Sequence, residues 1–134
     1  MRYVRVSLDE REEKDVYGIL EGDSIQIIKA SPLSNTIELS GKQVSLNDVK
    51  KFLPPVEPPN IVALGLNYKE HAEESRMELP PAPVIFLKAT SAITGHLSPI
   101  VLPKEAPDFV DYEAELVIVI KKRAKNIRKE DASR

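Results

Sequence analysis

The sequence predicts a mostly β fold of the α+β class, in which a small β-rich N-terminal domain precedes part of a larger, mixed β domain. Residues 2–8 alternate apolar and polar positions and glycine-containing turns follow at 21–23 and 40–42, residues 54–59 hold four prolines, and residues 61–66 form a continuous apolar run. A chain of 134 residues with 42% hydrophobic content suffices for a small domain and part of a larger one. We therefore expect an N-terminal domain over 1–53, a linker over 54–59 and a truncated second domain over 60–134.

The N-terminal domain is predicted to consist of short antiparallel strands. Residues 2–8 alternate with the period of a half-buried strand, and the charged stretch 9–15 is predicted as a solvated loop. Glycine-containing turns then predict hairpins, and Asn47 with the prolines after residue 53 predicts a short capped helix. The expected elements are a hairpin of 16–20 with 24–28, a second hairpin of 36–39 with 43–46 around Ser40-Gly41-Lys42, and a helix at 47–53.

The second domain is predicted to open with a strand and a helix. Four prolines in the linker fix φ and remove amide donors, which makes the linker stiff and extended. Residues 61–66 are typical of a strand covered on both faces, because no polar residue interrupts the run. Asn67, with Glu70 three residues later, has the spacing of a capping box for a helix that ends before Pro80. Further strands are predicted at 84–87, 100–102 and 112–120.

Composition narrows the classes of function. Nineteen Lys and Arg residues against 21 Asp and Glu residues give a formal net charge of −2, so nucleic acid is not an expected partner. No segment reaches the roughly 18 consecutive apolar residues that span a bilayer, and the first residues are typical of a strand rather than a signal peptide. We therefore expect a soluble cytoplasmic protein without a membrane partner. Because the chain has no cysteine, a bound metal would need oxygen or imidazole ligands.

Two carboxylates form the strongest local pattern. Glu113 and Glu115 share one face of the strand predicted at 112–120, at the edge of an apolar run. Like charges about 7 Å apart along a strand repel each other unless a cation neutralises them. A hard divalent ion such as Mg²⁺ accepts such ligands and leaves positions open for a chelating substrate. The alternative is an acidic strand end that faces solvent, which is common for Glu-x-Glu.

A histidine and a glutamate form the second pattern. His71 and Glu74 lie three positions apart on the predicted helix, so the carboxylate can reach the imidazole, orient it and raise its basicity. This pair is a candidate general base. The alternative is a surface helix whose charged side chains form only solvated pairs.

Two single residues are weaker candidates. Lys88 follows the apolar strand 84–87, where its cation could receive a substrate carboxylate, although a lysine at a strand end more often only reaches water. His96 could bind a metal, but no second histidine or acidic partner stands at ligand spacing, so an ordinary loop position is favoured.

In order along the chain, these segments resemble the fumarylacetoacetate hydrolase family. Several separate motifs in the correct order are more specific than any one of them. The resemblance covers residues 54–128 closely, and residues 1–53 resemble the small variable N-terminal domain of many members. The motifs are Pro-Pro-Val-Glu-Pro-Pro-Asn-Ile-Val-Ala-Leu-Gly-Leu-Asn-Tyr-Lys-Glu-His-Ala-Glu-Glu at 54–74, Pro-Val-Ile-Phe-Leu-Lys at 83–88, Ile-Val-Leu-Pro at 100–103 and Val-Asp-Tyr-Glu-Ala-Glu-Leu at 110–116.

The resemblance implies a role for each candidate. Glu113 and Glu115 would be two of three carboxylate ligands to Mg²⁺, Mn²⁺ or Ca²⁺, His71 and Glu74 a catalytic dyad on a mobile lid, and Lys88 a residue near the active site. The family fold is a mixed β roll, usually dimeric. Its members hydrolyse, decarboxylate or isomerise small 2-oxo and 1,3-dicarbonyl acids such as acylpyruvates, oxaloacetate and 2-hydroxyhepta-2,4-dienedioate, and some act in catechol and aromatic degradation.

One departure from the family pattern leaves open how the three-ligand metal site would be completed. The family's third ligand, an aspartate on a later strand, would lie beyond residue 134, and residues 129–134 resemble the start of the helix before that strand. The chain is therefore expected to act as a homodimer or with a second polypeptide that completes the domain. The rival hypotheses are a non-catalytic half-protein that folds only with such a partner, and a small module that binds 2-oxo acids without turnover.

Overall fold

A computed structural model describes residues 1–11 and 15–132 of the chain. The middle of the loop predicted at 9–15 and the last two residues of the helix predicted at 129–134 lie outside the described residues. The chain divides into two compact units, residues 1–98 and residues 99–134. The boundary expected at 54–59 stays a prediction.

A five-stranded antiparallel sheet forms the N-terminal part of the first unit. Its strand order is β4-β3-β2-β1-β5, so β4 and β5 are the edges. The turn around Gly22, whose φ is +57°, joins β2 and β3 as the sequence predicts. The strands are β1 (Arg2–Ser7), β2 (Asp15–Glu21), β3 (Ser24–Ile28), β4 (Leu39–Ser45) and β5 (Lys51–Leu53).

The core of this sheet lies on the face that the alternating pattern predicts. Val6 and Ile25 are completely buried and pack with Ile27. Val4 and Leu8, on the same side of the first strand as Val6, are partly buried against this cluster. The mostly β class and the first hairpin are therefore confirmed.

The second predicted hairpin, at 36–46, is wrong. Residues 39–45 form the single strand β4, which pairs with β3 and runs through the expected turn. Gly41 has a φ of +78°, and the register with β3 is irregular between Gln26 and Ile28. A glycine with positive φ can make a bulge within a strand as readily as a turn between two strands, and here it makes the irregularity.

The helix predicted at 47–53 is also wrong. A single 3₁₀ turn, Leu46–Asp48, is capped by the Ser45 hydroxyl, which accepts a hydrogen bond from the Asn47 amide. The chain then enters β5, which pairs with β1. Proline disfavours helical φ and ψ at the residue before it, so Leu53, next to Pro54, is biased towards the extended backbone that pairing with β1 requires.

Ion pairs of Arg5 connect the linker to the five-stranded sheet. Arg5 forms ion pairs with Asp15 at 2.6 Å and with Glu57 at 2.7 Å, and its side chain is only 14% exposed. Its guanidinium also lies over the Tyr17 ring, 5.6 Å from the centroid. The hydrogen bond to Glu57 raises the pKa of Arg5 further above its usual range, against the opposing effect of partial burial. Arg5 on β1 thus makes stabilising contacts with both β2 and the linker.

Arg5→Met is expected to lower the free energy of unfolding by about 1–2 kcal/mol, because it removes two ion pairs and a cation–π contact from a mostly buried position. The control is Lys29→Met, which breaks the solvent-exposed Lys29–Glu38 pair at 3.0 Å and should change stability by no more than about 0.5 kcal/mol. Urea unfolding followed by far-ultraviolet circular dichroism measures both. Equal losses in the two variants would contradict the anchoring role of Arg5.

A second, two-stranded antiparallel sheet follows the linker, and the helical segment between its strands is described below. Strands β6 (Ile61–Gly65) and β7 (Val84–Lys88) pair antiparallel, with Ile61 opposite Lys88 and Gly65 opposite Val84. Both strands were predicted, but the prediction that both faces of the first are covered is wrong. Val62 and Leu64, which share one face of β6, are 60% and 41% exposed, so that face is not covered.

The second unit contains no strand among its described residues. The strands predicted at 100–102 and 112–120 are therefore wrong for this structure. A strand needs a hydrogen-bonded neighbour, and an apolar pattern cannot supply one. Within residues 99–132, regular structure is confined to a 3₁₀ turn at Lys129–Asp131. Within residues 1–11 and 15–132 no helix is long and apolar enough to cross a membrane, and cytoplasmic location stays a prediction.

Candidate functional site

The helix α1 (Lys69–Glu74) carries the predicted dyad. It begins later than the capping-box pattern predicts, since Tyr68 occupies the cap position and no side chain caps the helix. Leu66, with a φ of +51°, turns the chain between β6 and the helix, which leaves Asn67 outside the cap. The predicted role of Asn67 as N-cap is therefore wrong.

A Schellman motif ends α1 well before Pro80. The Met77 amide donates to the Ala72 carbonyl at 2.9 Å, and the Arg76 amide donates to the Glu73 carbonyl at 3.1 Å. Arg76 has a φ of +55°, in the position that glycine most often occupies in this motif. The sequence lacks that glycine signal, so the position of this end was not predictable.

His71 and Glu74 both lie on the exposed side of α1. Their spacing places them on one helical face, while Ala72 is the buried residue that packs the helix. Within the described chain the structure shows no hydrogen bond between the His71 imidazole and the Glu74 carboxylate. The two groups are therefore solvent-accessible and adjacent, a geometry from which a rotamer change can bring them into contact.

Lys88 is the last residue of β7 and lies opposite Ile61 at the start of β6. Its ammonium lies 5.3 Å from the centroid of the Phe86 ring, in a cation–π contact on the exposed strand β7. The position at the strand end agrees with the prediction. Its proposed contact with a substrate carboxylate stays a prediction.

His96 makes a contact that the sequence pattern did not predict. Its ring meets the Phe52 ring edge to face, with centroids 5.4 Å apart and an interplanar angle of 81°. At the neighbouring Gly95, a β-carbon would fall 1.9 Å from the Phe52 carbonyl oxygen, so only glycine allows this approach. The loop thereby covers the edge strand β5. His96 is thus an exposed loop residue in a packing contact, which favours the loop interpretation over metal binding.

Glu113 and Glu115 are exposed and lie in the irregular part of the second unit. Because no strand forms at 112–120, the alternation that would place them on one face is not established in this structure. Among the described residues, no group of three or more His, Asp or Glu side chains is close enough to hold a metal ion. Glu113 and Glu115 alone would supply only two ligands, fewer than such a group, and their role in metal binding remains a prediction.

Two family descriptions match the sequence. The family described as "Fumarylacetoacetate (FAA) hydrolase C-terminal" matches residues 60–134, more than half of the chain. That range contains every candidate residue. The description "Rv2993c-like, N-terminal" matches residues 1–55, which include the five-stranded sheet.

Similar proteins share both parts of the chain. A fumarylacetoacetate hydrolase domain-containing protein 2 homolog from Dictyostelium discoideum is 43% identical over 105 residues, covering 78% of this chain and 34% of that protein. The mitochondrial oxaloacetate tautomerase fahd2 of Xenopus laevis is 39% identical over 109 residues, covering 81% of this chain and 32% of that protein. The chain thus spans about a third of the length of the curated relatives it matches.

A solved structure is similar as well. An uncharacterized protein from Mycobacterium abscessus superposes with a TM-score of 0.61 at 34% identity, over 78% of this chain and 39% of that one. The predicted resemblance is therefore confirmed. With its matched motifs and the mostly β fold, this chain belongs to the fumarylacetoacetate hydrolase family.

Proposed function

We propose that this chain contributes to a metal-dependent enzyme that moves a proton on a small 2-oxo acid, interconverting its keto and enol forms. The observation that carries the proposal is the match of residues 60–134 to an enzyme family, together with relatives named as oxaloacetate tautomerases in frog and cattle. Hydrolysis or decarboxylation of related 1,3-dicarbonyl acids uses the same kinds of group. Tautomerisation is favoured because those relatives carry that name.

His71 is the proposed proton carrier. A neutral imidazole can take a proton from the carbon next to a carbonyl and deliver it to the enolate oxygen that results, and the reverse transfers regenerate the ketone. Glu74, on the same face of α1, would orient the ring and stabilise its protonated form. The exposure of both groups supports this role, since a substrate can reach them without unfolding the helix.

The remaining candidates are proposed to hold the substrate and the metal. Lys88 would attract the substrate carboxylate as a point charge at the end of β7. Glu113 and Glu115 supply the carboxylate oxygens that Mg²⁺, Mn²⁺ and Ca²⁺ prefer, and the cysteine-free chain offers no soft ligand, so the donor set fits these hard ions. When bound, the metal would stabilise negative charge on the enolate oxygen.

The test is the rate of enol-to-ketone conversion of oxaloacetate, followed by ultraviolet absorbance. The chain is assayed with Mg²⁺ or Mn²⁺, with the chelator EDTA, and against the same metal without protein, because free metal ions also promote the reaction. A protein-dependent rate that EDTA abolishes supports the proposal. Hydrolysis of an acylpyruvate without any effect on oxaloacetate would contradict tautomerisation in favour of hydrolysis.

A second candidate is a half-protein that acts only within an assembly. Its support is the row of exposed apolar side chains at residues 116–120 in the second unit. Monomeric proteins rarely leave such a run open to water. Activity that appears only in an associated form on gel filtration would favour this candidate over an active monomer.

A further inference from the structure

Both chain segments at the Lys88 end of the two-stranded sheet are attached to the N-terminal sheet. Lys88 ends β7 opposite the first residue of β6, so the linker enters and the following loop leaves at the same end. Before this end, Glu57 forms an ion pair with Arg5 on β1. After it, Gly95 lies against the backbone of Phe52 on β5. Two attachments on separate strands therefore flank the end of the sheet that carries the candidate lysine.

Both connections to this end are short and restrained. Two prolines lie between Glu57 and β6, and each fixes φ, so the linker transmits its attachment to the strand. Between Lys88 and Gly95, the 3₁₀ turn Thr90–Ala92 shortens the loop. Amide-to-carbonyl hydrogen bonds of 3.0 and 3.2 Å hold this turn together. A position fixed at Glu57 and at Gly95 is thus carried to the Lys88 end.

Gly95 is the residue that permits the second attachment. A β-carbon there would overlap the Phe52 carbonyl oxygen and would lie 2.8 Å from the Phe52 carbonyl carbon and 3.2 Å from the Leu53 Cα. These are backbone atoms of a strand paired with β1, so they cannot move aside without breaking that pairing. Unlike Gly22 and Gly41, Gly95 has no positive φ. The contact, and not backbone strain, therefore excludes a side chain.

We propose that the N-terminal sheet positions Lys88 for the substrate carboxylate, with Gly95 as the positioning residue and the Arg5–Glu57 pair as a second attachment. A two-stranded sheet attached at both strands keeps its end in place, whereas a single attachment lets that end rotate. Position matters because a charge-assisted hydrogen bond weakens as its distance and angle depart from the ideal. The role of Lys88 rests on the proposed function, and the attachment does not.

The first measurement is the distance distribution between two spin labels, obtained by pulsed electron paramagnetic resonance. The labels are carried by Lys42→Cys in the N-terminal sheet and Leu87→Cys next to the candidate lysine. Both positions are exposed, and the chain has no other cysteine. Dilution with unlabelled chain removes distances between copies. We expect Gly95→Ala to shift or broaden the distribution, and Glu57→Lys, which repels the arginine on β1, to do the same.

Gly22→Ala is the matched control. It makes the same substitution in the same N-terminal sheet and strains the backbone, because the φ of Gly22 is +57°. A β-carbon there meets no atom of the described residues within 4 Å. We expect lower stability and an unchanged distribution, with folding verified by circular dichroism. An unchanged distribution in both Gly95→Ala and Glu57→Lys would overturn the proposal, as would an equal change in Gly22→Ala.

The second measurement is the KM for oxaloacetate in the smallest active assembly that contains this chain. Gly95→Ala should raise KM about tenfold and change kcat by less than about twofold, because it weakens binding that ground state and transition state share. In a Lys88→Met background, Gly95→Ala should raise KM no further, since both changes act through one ammonium. Effects that add in the double variant would overturn positioning through Lys88. A parent without tautomerase activity would contradict the proposed function, and the label distances would still decide the attachment.

Discussion

His71→Ala is expected to lower kcat by about two to four orders of magnitude in the smallest active assembly that contains this chain, which is the usual contribution of a general base. Folding should be unaffected, because His71 is exposed and Ala72 is the residue that packs α1. The measurement is the steady-state rate of oxaloacetate tautomerisation with Mn²⁺, together with Mn²⁺ affinity by calorimetry. We expect the affinity to stay unchanged, since the imidazole is not a proposed ligand.

The chain contains two histidines, so His96→Ala is a matched control. His96 contacts Phe52 rather than any proposed catalytic group, and we expect kcat to remain near the parent value. A second variant and its control are Glu74→Gln and Glu73→Gln, which make the same substitution on different faces of α1. Glu74→Gln should lower kcat because the imidazole loses its orienting carboxylate, whereas Glu73→Gln should not. A near-parent kcat in His71→Ala would remove His71 from the mechanism.

The parts of the fold that the sequence predicts are those whose pairing partners are near in the chain. The strands on either side of Gly22 pair across a short turn, and both were predicted. The errors arise where one local signal fits two structures. Gly41 makes an irregularity rather than a turn, and Pro54 favours an extended Leu53 rather than a helix end.

The candidate site is predictable only in part for a related reason. The 3.6-residue period places His71 beside Glu74, and the apolar run places Lys88 at a strand end, so both positions follow from local pattern. The arrangement of Glu113 and Glu115 depends on a strand at 112–120, and a strand is a property of two segments. The pattern therefore identified these carboxylates as candidates but could not provide the partner that would order them.

Glu113→Ala and Glu115→Ala are each expected to reduce Mn²⁺ affinity by at least about 100-fold, and the double variant to abolish binding. Each substitution removes a charged oxygen ligand from a hard cation whose affinity depends on the number of such ligands. Calorimetric titration of Mn²⁺ into the 134-residue chain measures the effect. Glu105→Ala is the control, because it removes one exposed glutamate from the same unit without touching the proposed ligands.

Unchanged Mn²⁺ affinity in both single glutamate variants would exclude the metal site. Equal losses of Mn²⁺ affinity in Glu105→Ala, Glu113→Ala and Glu115→Ala would instead indicate that the ion recognises the general negative charge of this unit rather than two specific ligands.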